Sequence, residues 1–169
     1  MSKPWNGLVK LIELKIVDLD GNVLFKKENI NNVLQYEGQT LILSCMFGSG
    51  TVPTDYYVGL DSRPTVTVGD TMATIQTSGL EPSGYGYARQ SLTRNSNFDI
   101  QSSEPPKALS STITFSATGG SYTATDMFLC TAQTGYSGTL ISTVQFGTTI
   151  TVSPTNLVSM KFAMVLNGC

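Results

Sequence analysis

Short stretches in which apolar side chains alternate with polar ones, each closed by glycine, proline, asparagine or aspartate, recur from Leu8 to Leu166. This pattern restricts the fold more than any other feature. A period of two puts one face of an extended strand into a core and the other toward solvent. Ser111–Ala117 is the cleanest instance, with Ile113 and Phe115 on one face and Thr112, Thr114 and Ser116 on the other. Leu157–Leu166 gathers Val158, Met160, Phe162, Met164 and Leu166 on one face. Thr125–Ala132 is apolar on both, with Met127 and Leu129 opposite Phe128 and Cys130, so it reads as a strand covered from two sides.

The first strand is expected over Leu8–Leu19, with Leu8, Ile12, Leu14 and Ile16 sharing a face with Lys10, and Glu13 and Lys15 opposite. Asp20-Gly21 is the strongest hairpin signal and turns the chain back into Val23-Leu24-Phe25 and the charged Lys26-Lys27-Glu28. Residues 1–35 therefore form an N-terminal hairpin, either the edge of the domain or an arm that pairs with a neighbouring subunit. The edge is the default, because an edge strand can be satisfied within its own chain. Glu37–Phe47 is expected to be the one short helix, with Leu41, Cys45 and Met46 at helical spacing and Gly48 at its C-terminal end.

Further strands are expected at Asn95–Ser103 around Phe98 and Ile100, at Thr139–Phe146 and, after a break at Gly147, at Thr148–Val152. Glu104-Pro105-Pro106 marks a surface loop, since two prolines cannot sit in a central strand. With about nine strands punctuated in this way, the chain is mainly β: a single antiparallel β-sandwich of jelly-roll or immunoglobulin-like type over 36–169, forming one compact unit with the hairpin. A length of 169 residues suits one domain.

The stretch from Tyr56 to Leu92 is the most heavily specified. Strand-like Tyr56–Leu60 opens it, Asp70-Thr71 starts a short helical turn, and Leu80-Glu81-Pro82-Ser83-Gly84 leads into an expected central strand, Gly86–Leu92. Pro82 fixes its φ, while Gly84 and Gly86 permit backbone angles closed to other residues. Tyr85 and Tyr87 would share one strand face. Arg89 lies in the strand pattern, and Glu81 is its expected partner across the loop, a structural role preferred over contact with another subunit.

Taken together, Tyr57-Val58-Gly59-Leu60, Asp70-Thr71-Met72-Ala73, Glu81 through Gln90, Ile113 through Gly120, Asp126 through Thr131 and Ser137 through Ile141 resemble small β-sandwich structural proteins of tailed bacteriophages. The resemblance covers roughly Glu37 to Val165. It implies a virion protein assembled in the bacterial host cytoplasm, with capsid decoration or cement, head-fibre, neck and tail positions all known in the group. The expected function is a non-enzymatic decoration protein on the capsid, its partners the major capsid protein or neighbouring virion proteins, and its state a homo-oligomer with a trimer favoured. The alternatives are a neck, tail or baseplate component and, from another class, a carbohydrate-binding module using Tyr56, Tyr57, Tyr85 and Tyr87. The interface or structural candidates are Tyr57, Glu81, Pro82, Gly84, Tyr85, Gly86, Tyr87 and Arg89.

Chemistry is scarce. The chain has no histidine, which removes the Ser/His/Asp and Cys/His nucleophile arrangements and the commonest metal ligand. Cys45, Cys130 and Cys169 are too widely spaced for a zinc site or a disulfide framework, and the first two read as small core residues. Asp55, Asp61 and Asp70 surround the organising stretch and would interest a cation only if brought together; turn and cap roles are preferred. Catalytic residues, metals and cofactors are therefore expected to be absent. A net charge of −2 gives no basic footprint for nucleic acid, and no apolar run reaches membrane-spanning length. The N-terminal MSKPWNGLVKLIEL has no uninterrupted apolar stretch and reads as no signal peptide. Charged residues make up only 13%, against an ordinary quarter, so much of the surface is uncharged; that composition fits a Thr/Ser-rich β protein and a surface covered by other subunits equally, and the resemblance favours the second.

Overall fold

The computed structural model describes residues 6–102 and 105–167, so Trp5, Glu104 and Cys169 lie outside the described residues. Two antiparallel sheets pack face to face as a β-sandwich. The first contains β1 (Asn6–Asp18), β2 (Val23–Asn31), β6 (Phe98–Gln101), β7 (Lys107–Ser110) and β11 (Asn156–Asn167) in the order β2-β1-β11-β7-β6, with β8 (Ile113–Phe115) also pairing β11. The second runs β3-β10-β9-β4-β5, built from β3 (Val33–Leu34), β4 (Asp55–Asp61), β5 (Gln90–Thr93), β9 (Tyr122–Cys130) and β10 (Leu140–Val152). The chain passes between the sheets at both lateral edges, from β2 to β3 through Asn32 and from β5 to β6 through the turn at 94–97. Three of the free edges, β3, β5 and β6, are short, which limits strand-to-strand association there, whereas β2 is a nine-residue edge.

The core lies between the sheets, where Leu11, Leu14, Val58, Leu60, Phe146 and Phe162 are fully buried. β1 belongs to it: it sits between β2 and β11, and Val9, Leu11 and Leu14 face inward. The expected face of β1 is corrected. A register shift between Leu11 and Glu13 inserts an extra residue, so Val9 and Leu11 point inward before the bulge and Leu14 after it, while Ile12 is only half-buried. The hairpin turn forms as expected, with the Asp18 carboxylate accepting the N–H groups of Asp20 and Asn22 at 3.0 and 2.8 Å.

Other boundaries move as well. Gly147 does not end a strand. With a φ of +67° it sits inside β10, within a bulge where residues 146–149 oppose Thr125 alone. Lys107–Ser110 is a strand directly after the proline pair, paired to both β6 and β11. The described residues contain two helices, not one: α1 (Tyr36–Phe47) and α2 (Met72–Ser78), the latter growing from the turn expected at Asp70-Thr71 and opened by a Thr71–Thr74 capping box.

The outer face of the second sheet carries a further layer. Met72 and Ile75 of α2 pack with Phe128, Cys130 and Leu140, and Tyr57 and Tyr136 close the cluster. This covers β9 on both faces, as its sequence indicates. α1 crosses β10 through Gly38, where any Cβ would run into the Ile141 backbone. Cys130 is buried, whereas Cys45 is half-buried, with its thiol 3.7 Å from the Thr51 carbonyl.

Candidate functional site

Two arginines buried under the outer layer of the second sheet hold that layer in place. Arg89 is the first. Its Nε and Nη2 donate to the two carboxylate oxygens of Glu81, each at 2.7 Å, and Nη1 donates to the Ala132 and Gly135 carbonyls at 2.9 and 2.8 Å. The guanidinium is sandwiched between the Phe128 and Tyr136 rings, 5.2 and 5.3 Å from their centroids. Burial disfavours its charge, but the Glu81 carboxylate outweighs that and holds its pKa above the ordinary arginine range. One side chain thereby ties the 80–89 loop to the 131–138 loop across the sheet. The Glu81–Arg89 pairing expected from the sequence is present.

Tyr87 completes this cluster. Its hydroxyl donates to Glu81 Oε1 at 2.9 Å and accepts the Leu60 N–H, also at 2.9 Å. The pairing of β4 with β5 stops at Val58 and Gln90, so this hydroxyl satisfies a strand amide that the ladder leaves behind. Burial is the main reason its own ionisation is pushed far up. Its ring packs into the core against Phe115 and Tyr122.

The expected strand Gly86–Leu92 is thus corrected in extent and position: β5 begins only at Gln90 and is the edge of its sheet. What precedes it is a left-handed turn. Gly84, Tyr85 and Gly86 have φ values of +85°, +49° and +78°, angles that glycine adopts freely and tyrosine rarely. Tyr85 is held there by its carbonyl, which accepts the Thr118 N–H at 2.8 Å, and by its ring lying against Gly120. Tyr85 and Tyr87 therefore do not share a strand face. Tyr57 belongs to the outer apolar cluster, Tyr56 packs edge-on against Phe98, and of the four tyrosines only Tyr85 is exposed. Pro82 lines a cavity of about 290 Å³ with Glu81, Arg89 and Tyr136.

Arg63 is the second buried arginine, and the sequence reading passed over it. It pairs with Asp61 through Nε, with Asp70 through Nη1 at 2.7 Å and with Thr143 Oγ1 through Nη2 at 3.2 Å. Asp70 also accepts the backbone N–H and the hydroxyl of Thr67 at 3.0 and 2.7 Å, which fixes the loop before α2. The fully buried Gln35, turned so that its amide nitrogen meets the Thr67 and Val68 carbonyls at 2.6 and 3.1 Å, joins the start of α1 to the same loop. Asp61 and Asp70 are thus brought together around a guanidinium. Asp55 is elsewhere, accepting the Thr93 hydroxyl at 2.6 Å.

Asp126 faces Asp61 across the β4–β9 ladder and Gln145 across the β9–β10 ladder. It is fully buried. Its Oδ2 accepts the Thr125 hydroxyl at 2.8 Å, while Oδ1 has no partner. Burial, with the Asp61 charge adding to it, pushes its pKa up to about 6. A carboxylate inside the two-sided apolar run Ala124–Cys130 was the sequence signal that could have disclosed this cluster. Among the described residues, no three His, Cys, Asp or Glu side chains are grouped to hold a metal ion. Neither helix is long and apolar enough to cross a membrane. Comparison of the chain with protein-family models, with curated proteins and with solved structures gives no match.

Proposed function

We propose that the chain is a non-enzymatic structural subunit of a tailed-bacteriophage virion, a capsid decoration or cement protein that works by burying surface against the major capsid protein and its own neighbours. The resemblance in the sequence motivates the virion. The observation that carries an assembly role is a set of large apolar side chains displayed on two projections. On α1, Tyr36, Leu43, Met46 and Phe47 are 61%, 51%, 62% and 80% exposed; at the hairpin tip, Leu19 and Leu24 are 69% and 61% exposed. The only charge on α1, Glu37, is occupied with the Leu140 N–H at 2.9 Å, so the outer stripe of the helix is uncharged. Apolar surface displayed in this way marks interaction sites. The two arginine clusters meanwhile spend their polar groups on loops of the chain itself.

A specific contact needs on the order of 1,000 Å² of buried surface, and symmetry multiplies it. Native mass spectrometry of the purified chain, then incubation with particles lacking it, tests the reading. A trimer that coats capsids, and that stops coating when Leu43 and Phe47 are replaced by Ser without change in melting temperature, is the expected result. A ring of six or twelve bound at one vertex would move the protein to the neck or tail. Binding to glycans with no affinity for particles would overturn the virion reading.

A further inference from the structure

The Asp126 cluster opens on one side into a cavity of about 360 Å³ lined by Arg63, Thr125, Asp126, Gln145, Thr148 and Thr149. Its lip is the β10 bulge, which carries the two last threonines away from the ladder. Charge within the cluster does not balance. Arg63 is already shared between Asp61 and Asp70, and its three nitrogens point at those carboxylates and Thr143. Asp126 has no cation of its own, and its fully buried Oδ1 lacks the donor that a buried carboxylate oxygen requires. With all three aspartates ionised, the cluster carries two negative charges more than it has positive ones.

We propose that this cavity is a binding site for an organic ammonium cation, whose N–H groups supply the donor missing at Asp126 Oδ1. The remaining N–H groups would meet the threonine hydroxyls, acceptors on the cavity wall. Gln145 stands beside Asp126 across the ladder. An anion is repelled by the charge excess. A sugar would find no aromatic ring in the lining on which to stack. A divalent metal lacks the third acidic ligand, because Asp61 and Asp70 are engaged with Arg63. The ammonium has two possible sources of the same chemistry, a free amine or a lysine of a second copy of this chain.

The test is a titration of the full chain with n-butylammonium chloride at pH 7.5, followed by amide NMR. Saturable shifts are expected at Thr125, Asp126, Thr148, Thr149 and the Gln145 side chain. The affinity should fall at least tenfold in Asp126→Asn. Should that variant fail to fold, the native chain at pH 4.5, with Asp126 protonated, should show the same loss. Native mass spectrometry separates the sources: saturation without change of oligomer size assigns a free amine, and release of subunits by butylammonium assigns the lysine of a second copy. Shifts that never saturate, an affinity unchanged in a folded Asp126→Asn or at pH 4.5, or tighter saturation of the same residues by calcium chloride would overturn the proposal.

Discussion

Arg89 and Glu81 meet as a two-pronged ion pair, each prong 2.7 Å long, and both side chains are almost wholly withdrawn from solvent. Removing one member leaves the other charged and buried. Arg89→Ala is therefore expected to lower the unfolding free energy of the isolated chain by about 3–5 kcal/mol. Arg89→Lys should recover little of it, because an ammonium cannot reach both carboxylate oxygens and two carbonyls at once. Urea denaturation measures both. An Arg89→Ala midpoint equal to that of the native chain would show that the pair does not hold the two loops.

Gly59 lies beneath the ring of Phe128, its partner across the β4–β9 ladder, and a Cβ at Gly59 would overlap that ring. Gly59→Ala should destabilise by about 1–3 kcal/mol through overpacking. Because the obstacle is one side chain, Phe128→Leu should absorb part of the cost. A double-mutant cycle is expected to give a coupling of about 1 kcal/mol or more in the relieving direction. Strict additivity would mean that the strand shifts instead of the ring.

Whether the N-terminal hairpin acts as an arm or as core is a question of burial. Val9, Leu11 and Leu14 are essentially unexposed, and β1 is hydrogen-bonded on both sides, to β2 and to β11. Deleting residues 1–28 is expected to abolish cooperative melting followed by circular dichroism. Leu14→Ala alone should cost about 2–5 kcal/mol. A truncated chain that melts cooperatively near the native temperature would make the hairpin an appendage.

Much of this architecture is legible in the sequence, and the failures have physical causes. Ile113 and Phe115 were readable because β8 is short and regular, and Asp20-Gly21 because a tight turn has few chemical solutions. The inward face of β1 was legible only beyond its bulge, where Leu14 and Ile16 face the core as expected; the one extra residue reverses the alternation before it, putting Val9 and Leu11 inward, and leaves no mark on composition. Gly147 looks like a strand end because a left-handed glycine serves breaks and bulges equally. In the site, Arg89 and Glu81 could be paired because a single loop joins them. Arg63, Asp126 and Thr143 come from separate elements, and only the order of strands in the second sheet brings them together. The Tyr85 and Tyr87 error arose from reading alternation where two glycines had already turned the backbone.

Asp126 should also write itself into the pH dependence of stability. Its pKa is raised from an ordinary 3.8 to about 6, chiefly by burial, so the folded chain holds this proton more tightly than the unfolded one. The stabilisation from protonation is complete below 3.8 and is lost as the pH rises through 6; above that, the folded chain carries a buried charge. A shift of about two units corresponds to about 3 kcal/mol. Asp126→Asn keeps the shape without the charge. The native chain should lose stability relative to this variant across pH 3.8 to 6 and the gap should stay constant above it. Asp61 faces Asp126 and is itself raised by burial against the pull of Arg63, while the glutamates and other aspartates titrate in both proteins, so the difference between the two urea curves reports Asp126 together with its coupling to Asp61. A gap that grows as the pH falls, or none from pH 4 to 8, would mean that Asp126 stays ionised in the fold, with a donor at Oδ1 after all.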